Sequence, residues 1–146
     1  MAAGPDRLPD ATHIGSVLLR AAGPEQLRAF YEDTLGVPSG LMRFERADEV
    51  APRHSTGLYH TAIRFPTREA LASALRRAMH STARMGGASD HGVSEALYMS
   101  DMEGNGVELY WDRPREVWPH EPDGRLSMYT IPLDVPGLLE LPEVEP

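Results

Sequence analysis

Apolar positions along the chain change period several times, and the changes mark out two units, each a strand followed by a helix. Residues 13–20 (His-Ile-Gly-Ser-Val-Leu-Leu-Arg) read as a strand, and Ala21-Ala22-Gly23-Pro24 breaks it. Pro24 suits the first turn of a helix, where its missing N–H costs nothing, and Leu27, Phe30, Tyr31 and Leu35 then recur on one helical stripe. Gly36 is the expected stop. The same order returns: residues 58–65 read as a strand, Pro66-Thr67 as its break and helix cap, and Leu71, Ala74, Leu75, Ala78 and Met79 as a second stripe ending at Gly86-Gly87. Two more strands, Val93–Met99 and Val107–Trp111, are joined by the turn-rich Ser-Asp-Met-Glu-Gly-Asn-Gly.

Counted from His13 to His60, the pattern repeats after 47 residues. This predicts an α+β domain built from paired βαβββ repeats, with a curved mixed sheet, helices on its outer face and a pocket on its concave face. The first repeat is shortened. Between Gly36 and Gly57 lie 20 residues, Pro38 and Pro52 among them, where three strands of roughly 5–6 residues with their turns are needed. One strand fits there, Leu41–Arg46, with room for two at most, so half of the cup lacks a wall and exposes an edge that a homodimer or the tail is expected to cover. Residues 1–10 are an expected flexible lead-in, residues 11–113 the domain, and residues 114–146 a tail packing on the domain or a partner. That tail holds 7 of the 13 prolines but too many apolar residues, Leu133, Leu138 and Leu139 among them, for disorder.

A length of 146 residues allows one domain with a substantial core. The net charge of −8 offers no footprint for nucleic acid or an anionic membrane, so a small molecule or a protein is the expected partner. With no cysteine, disulfides, zinc–thiolate sites and thiol catalysis are excluded, and His, Asp and Glu are left as the strong metal ligands. Residues 1–9 carry Asp6, Arg7 and two prolines where a secretory segment is apolar, which predicts a cytoplasmic protein.

Three acid–base residues sit on the predicted strands: His13, His60 and Glu108. Two neutral imidazoles and a carboxylate brought to one pocket form the facial triad that holds non-haem Fe(II) and leaves positions open for substrate and oxygen. Strand alternation puts His13 beside Gly15 and Val17, His60 beside Leu58 and Ala62, and Glu108 beside Gly106 and Tyr110, so small neighbours leave room for an ion. The opposite face of the His60 strand, Tyr59, Thr61, Ile63 and Phe65, is expected to pack on a helix. His91 and Tyr98, near the third strand, are the candidate catalytic side chains, as proton donors or hydrogen-bond partners of a bound substrate. His54, His80 and His120 read as surface residues. Gly104-Asn105-Gly106 reads as a turn and not a phosphate loop, since a strand follows it.

The segments Thr-His-Ile-Gly, Thr-Gly-Leu-Tyr-His, Gly-Ala-Ser-Asp-His-Gly-Val-Ser-Glu-Ala-Leu-Tyr, Gly-Asn-Gly-Val-Glu-Leu-Tyr and Asp-Arg-Pro-Arg-Glu-Val-Trp-Pro resemble the vicinal oxygen chelate superfamily. That superfamily includes glyoxalase I, bleomycin-resistance proteins and extradiol ring-cleaving dioxygenases. The resemblance covers nearly the whole chain and is greatest to the N-terminal half of bacterial catechol 2,3-dioxygenase-like proteins. It implies iron ligation by His13, His60 and Glu108, a hydrogen-bonding role beside the metal for Tyr98, and ring cleavage of an aromatic vicinal diol with O2. Fe(II) is the expected metal, with another divalent ion as the alternative. Two other readings stay open: a glyoxalase- or isomerase-type metalloenzyme, for which Glu45 is the available fourth ligand, and a metal-free small-molecule-binding or interaction module of the same fold.

Overall fold

The computed structural model describes residues 14–49 and 57–146. The first unit consists of strand β1 (Val17–Ala21), helix α1 (Pro24–Ala29) running on as a π-helical turn (Phe30–Thr34), and strand β2 (Met42–Arg46), which pairs with β1 in parallel. The second is a complete βαβββ unit: β3 (His60–Arg64), α2 (Arg68–Met79), β4 (Arg84–Asp90), β5 (Ser94–Ser100) and β6 (Gly106–Asp112). The expected pairing of a full repeat with a shortened one is thus the observed architecture. The strand expected from His13 begins only at Val17, with residues 14–16 outside it, and His13 itself lies outside the described residues, as does His54.

Local chemistry explains the helices. Pro24 occupies the first turn of α1, and the Glu103 carboxylate, from the β5–β6 turn, accepts hydrogen bonds from the Ala22 and Gly23 N–H groups at its start. At the end of the π-helical turn, Gly36 takes a positive φ of 77°, a backbone state that glycine adopts at little cost. The Thr67 hydroxyl caps α2 by accepting from Ala70 N–H. The buried stripe of α2, Leu71, Ala74, Leu75 and Ala78, packs with Ile63, Phe65, Leu97, Met99, Val107 and Leu109 of the sheet, while Leu27, Phe30, Tyr31 and Leu35 enter the same core from the first unit.

Two expectations change here. Gly86-Gly87 does not end α2. The helix stops at Met79, which is exposed, and the two glycines lie inside β4, at a bulge between Met85 and Gly87. A glycine pair suits a bulge as well as a helix stop, so composition alone misassigns it. Tyr59, expected to pack under a helix with Ile63 and Phe65, is exposed, because it precedes the first paired residue of β3 and no element among the described residues covers it.

The second sheet has the order β3-β6-β5-β4-β7, where β7 (Ile131–Pro132) is a short strand of the tail; β3 runs parallel to β6 and the other neighbours are antiparallel. Parts of residues 114–146 contact the domain. Trp118 Nε1 donates to the Arg113 carbonyl, β7 extends the sheet at β4, and helix α3 (Val135–Leu139) buries Leu138 against α2. Arg76 binds the Leu139 and Leu141 carbonyls, and Val144 N–H donates to Ser73 Oγ on the same helix. Leu126, Met128, Tyr129 and Ile131 stay exposed.

Candidate functional site

Register brings the site together. In the β3–β6 pair His60 stands beside Gly106 and Ala62 beside Glu108; in the β5–β6 pair Tyr98 stands opposite Glu108. Alternation therefore puts His60, Ala62, Glu108 and Tyr98 on the face turned away from the α2 core. His60 Nε2 lies 2.9 Å from Glu108 Oε2, with side-chain exposures of 31% and 18%, so both groups are sheltered yet reachable. Tyr98 donates its hydroxyl proton to Glu108 Oε1 at 3.1 Å, and His91 Nε2 lies 3.0 Å from the Tyr98 hydroxyl. Four side chains far apart in sequence thus form one continuous line: His60, Glu108, Tyr98, His91.

Two glycines make room for this line. A Cβ on Gly106 would stand 2.5 Å from the Tyr59 carbonyl oxygen and 2.9 Å from His60 Cβ, so only glycine lets β6 approach the start of β3 closely enough for His60 to reach Glu108. Gly106→Ala is expected to cost about 1–3 kcal/mol by forcing the strands apart, read as a lower urea midpoint at unchanged slope. A midpoint equal to the parent's would contradict the close contact. Gly87 faces Tyr98 across the β4–β5 pair with open space where its side chain would be, leaving the phenol unobstructed.

Burial, followed by the Glu108 carboxylate and its hydrogen bond, pushes the Tyr98 phenol up to about 12. Tyr98 is therefore a hydrogen donor throughout the neutral range. Beside the site, a cleft of about 470 Å³ opens between β1–β2 and β3, lined by Ile14, Val17, Leu41, Met42, Thr61, Ala62, Ile63 and Arg64.

The donor chemistry of this face fits a divalent first-row metal as far as it is described. Imidazole and carboxylate ligands roughly 2.1 Å from one ion in adjacent positions are separated by roughly 3 Å, which is the His60–Glu108 spacing. Among the described residues no group of three or more His, Asp and Glu converges, and the third expected ligand, His13, lies outside them. Glu45 is exposed, on the face of β2 opposite the buried Met42 and Phe44. His80 and His120 are exposed. The sequence reading missed the backbone and hydroxyl of Tyr129 and Thr130, which hold His91 Nδ1, and the Arg68–Glu95–Arg113–Asp90 ion-pair network beneath it. Nothing in the tail's composition signals the first, since one threonine in a Pro-rich stretch carries no period.

The fold is that of glyoxalase/dioxygenase-type structures, and the sequence resembles the vicinal oxygen chelate superfamily. It is similar to the catechol-2,3-dioxygenase of Bacillus subtilis (strain 168), 38% identical over 149 aligned positions that take in 88% of this chain and 52% of that protein. The chain therefore spans about half the length of this curated relative. No protein-family model matches it. In fold it is similar to a glyoxalase/dioxygenase from Nostoc punctiforme (TM-score 0.59, 15% identity, 77% of this chain and 100% of the other). It is also similar to the fosfomycin resistance protein FosX from Listeria monocytogenes (TM-score 0.56, 15% identity, 72% of this chain and 97% of the other). Among the described residues no helix is long and apolar enough to cross a membrane.

Proposed function

We propose that this chain is a metal-dependent, extradiol-type dioxygenase unit that acts on a catechol-like vicinal diol with O2, holding Fe(II) through His13, His60 and Glu108. The observation that carries the reading is the line His60–Glu108–Tyr98–His91 on one sheltered face, in a chain 38% identical to a catechol-2,3-dioxygenase over most of its length. Divalent iron held there supplies Lewis acidity and electron exchange with oxygen.

The protein's own groups supply the rest. Glu108 uses Oε2 toward His60 and Oε1 toward Tyr98, so one carboxylate both completes the donor set and orients the phenol. Tyr98, protonated at neutral pH, steadies Glu108 by donating its hydroxyl proton to Oε1, and His91 Nε2, 3.0 Å behind the phenol oxygen, is placed to supply a proton to it. The apolar lining of the adjoining cleft gives an aromatic ring a surface to leave water for. Anaerobic loading of the protein with Fe(II), followed by oxygen uptake with catechol, tests the reading. Stoichiometric iron with catechol-dependent uptake supports it. Iron binding without uptake points to the glyoxalase- or isomerase-type chemistry, and no metal binding to the metal-free module.

A further inference from the structure

The end of the proton-carrying line away from Glu108 is built by the tail. His91 sits in the turn between β4 and β5, where its N–H donates to the Ser94 carbonyl and its carbonyl oxygen accepts from Tyr129 N–H. Gly92 follows with a φ of 77°, and a side chain there would run into the Tyr129 ring at 2.8 Å and Pro119 at 2.9 Å. The backbone thus seats the imidazole from both sides. Its Nδ1 meets two oxygens, the Tyr129 carbonyl at 3.2 Å and the Thr130 hydroxyl at 3.1 Å.

Hydrogen-bond direction decides what these two oxygens do. A Glu108 carboxylate only accepts, so the Tyr98 proton points to it, and the Tyr98 oxygen is left to accept from His91. In neutral His91 the ring proton then belongs on Nε2, and Nδ1 is bare. A bare Nδ1 gains nothing from the Tyr129 carbonyl, which also only accepts; of its two neighbours, Thr130 alone can donate. Without that hydroxyl the carbonyl would draw the ring proton to Nδ1, Nε2 would accept from Tyr98, and Glu108 would lose its donor.

We propose that Thr130 is a positioning residue: its hydroxyl donates to His91 Nδ1, keeps the ring proton on Nε2, and so gives the line from His91 through Tyr98 to Glu108 a single direction. The tail is thereby part of the site. The inference rests on the chain's own hydrogen bonds and requires neither metal nor oxygen.

The test is ¹⁵N NMR of the full chain with labelled histidine, followed along a pH series and read on the limb where the His91 signals no longer change with rising pH. The His91 signals are assigned by their loss in His91→Gln. In the parent protein the proton should be found on Nε2. Thr130→Val should lower the ratio of Nε2–H to Nδ1–H by at least about fivefold, the change that one hydrogen bond supports, while Thr130→Ser should restore it. A parent protein with the proton on Nδ1 overturns the proposal, and so does an unchanged ratio in a folded Thr130→Val. Should the valine variant not fold, the parent and the serine variant still decide it, since a Nδ1 proton in either is incompatible. Failure of oxygen uptake would leave this result standing, and failure here would leave the dioxygenase reading standing.

Discussion

His60→Ala is expected to lower the affinity of the chain for Fe(II) by more than about 100-fold and to abolish catechol-dependent oxygen uptake. Loss of outer partners of a metal ligand already costs about 10–100-fold, and a donor itself contributes more. The loss should be specific, because His60 is 31% exposed in its side chain and belongs to no core cluster, so the urea midpoint should move by less than about 1 kcal/mol. Glu108→Ala should remove metal in the same way while also releasing the Tyr98 proton from its acceptor. Both variants separate a metal site from a merely structural His–Glu pair, which in the alternative reading would change stability alone. Stoichiometric, tightly held iron in His60→Ala would sink the ligand assignment.

Much of the second unit was legible because most of its boundaries carry a chemical signal. Pro66-Thr67 caps α2, four stripe positions of α2 are buried, and β5 and β6 alternate around Tyr98 and Glu108. Where legibility failed, two structures shared one signal. Gly86-Gly87 is equally good at ending a helix and at allowing a bulge, and only the pairing of β4 with β5 selects the second. The shortened first unit was visible as too few residues for three strands, and β2 lies where the single strand was expected. The repeat period aligns His13 with His60; β3 begins at His60 itself and β1 at Val17, while His13 lies outside the described residues. The Thr130 contact with His91 joins residues 39 positions apart through a segment with no period, and long-range pairings of single residues leave no local trace.

Arg113→Met should be the most destabilising single change near the site, by about 2–4 kcal/mol. Glu95 is a carboxylate on the core face of β5 with only 3% of its side chain exposed, and it is tolerated there because Arg113 and Arg68 each reach it at 2.7 Å. Breaking a buried pair by removing one partner typically costs about 3–5 kcal/mol, since a buried charge is left uncompensated. Arg68 remains, and Arg113 is 27% exposed, so the lower figure applies. Arg113 also holds Asp90 at 2.8 Å, and Asp90 in turn accepts from Gly92 N–H in the turn that seats His91. Methionine keeps the apolar stem and the backbone bonds but frees that turn, so the His91 signals should broaden or shift along with the loss of stability. By contrast Arg64→Met, which breaks a 3.5 Å pair with Asp112 at 66% and 40% exposure, should cost no more than about 0.5 kcal/mol. The Arg113 effect should also persist in 1 M salt, because sheltered pairs are screened far less than exposed ones. The measurement is urea unfolding of both variants at low and high salt. A loss below about 1 kcal/mol for Arg113→Met would mean that Arg68 alone suffices for Glu95, and that the network beneath His91 is not what holds its turn.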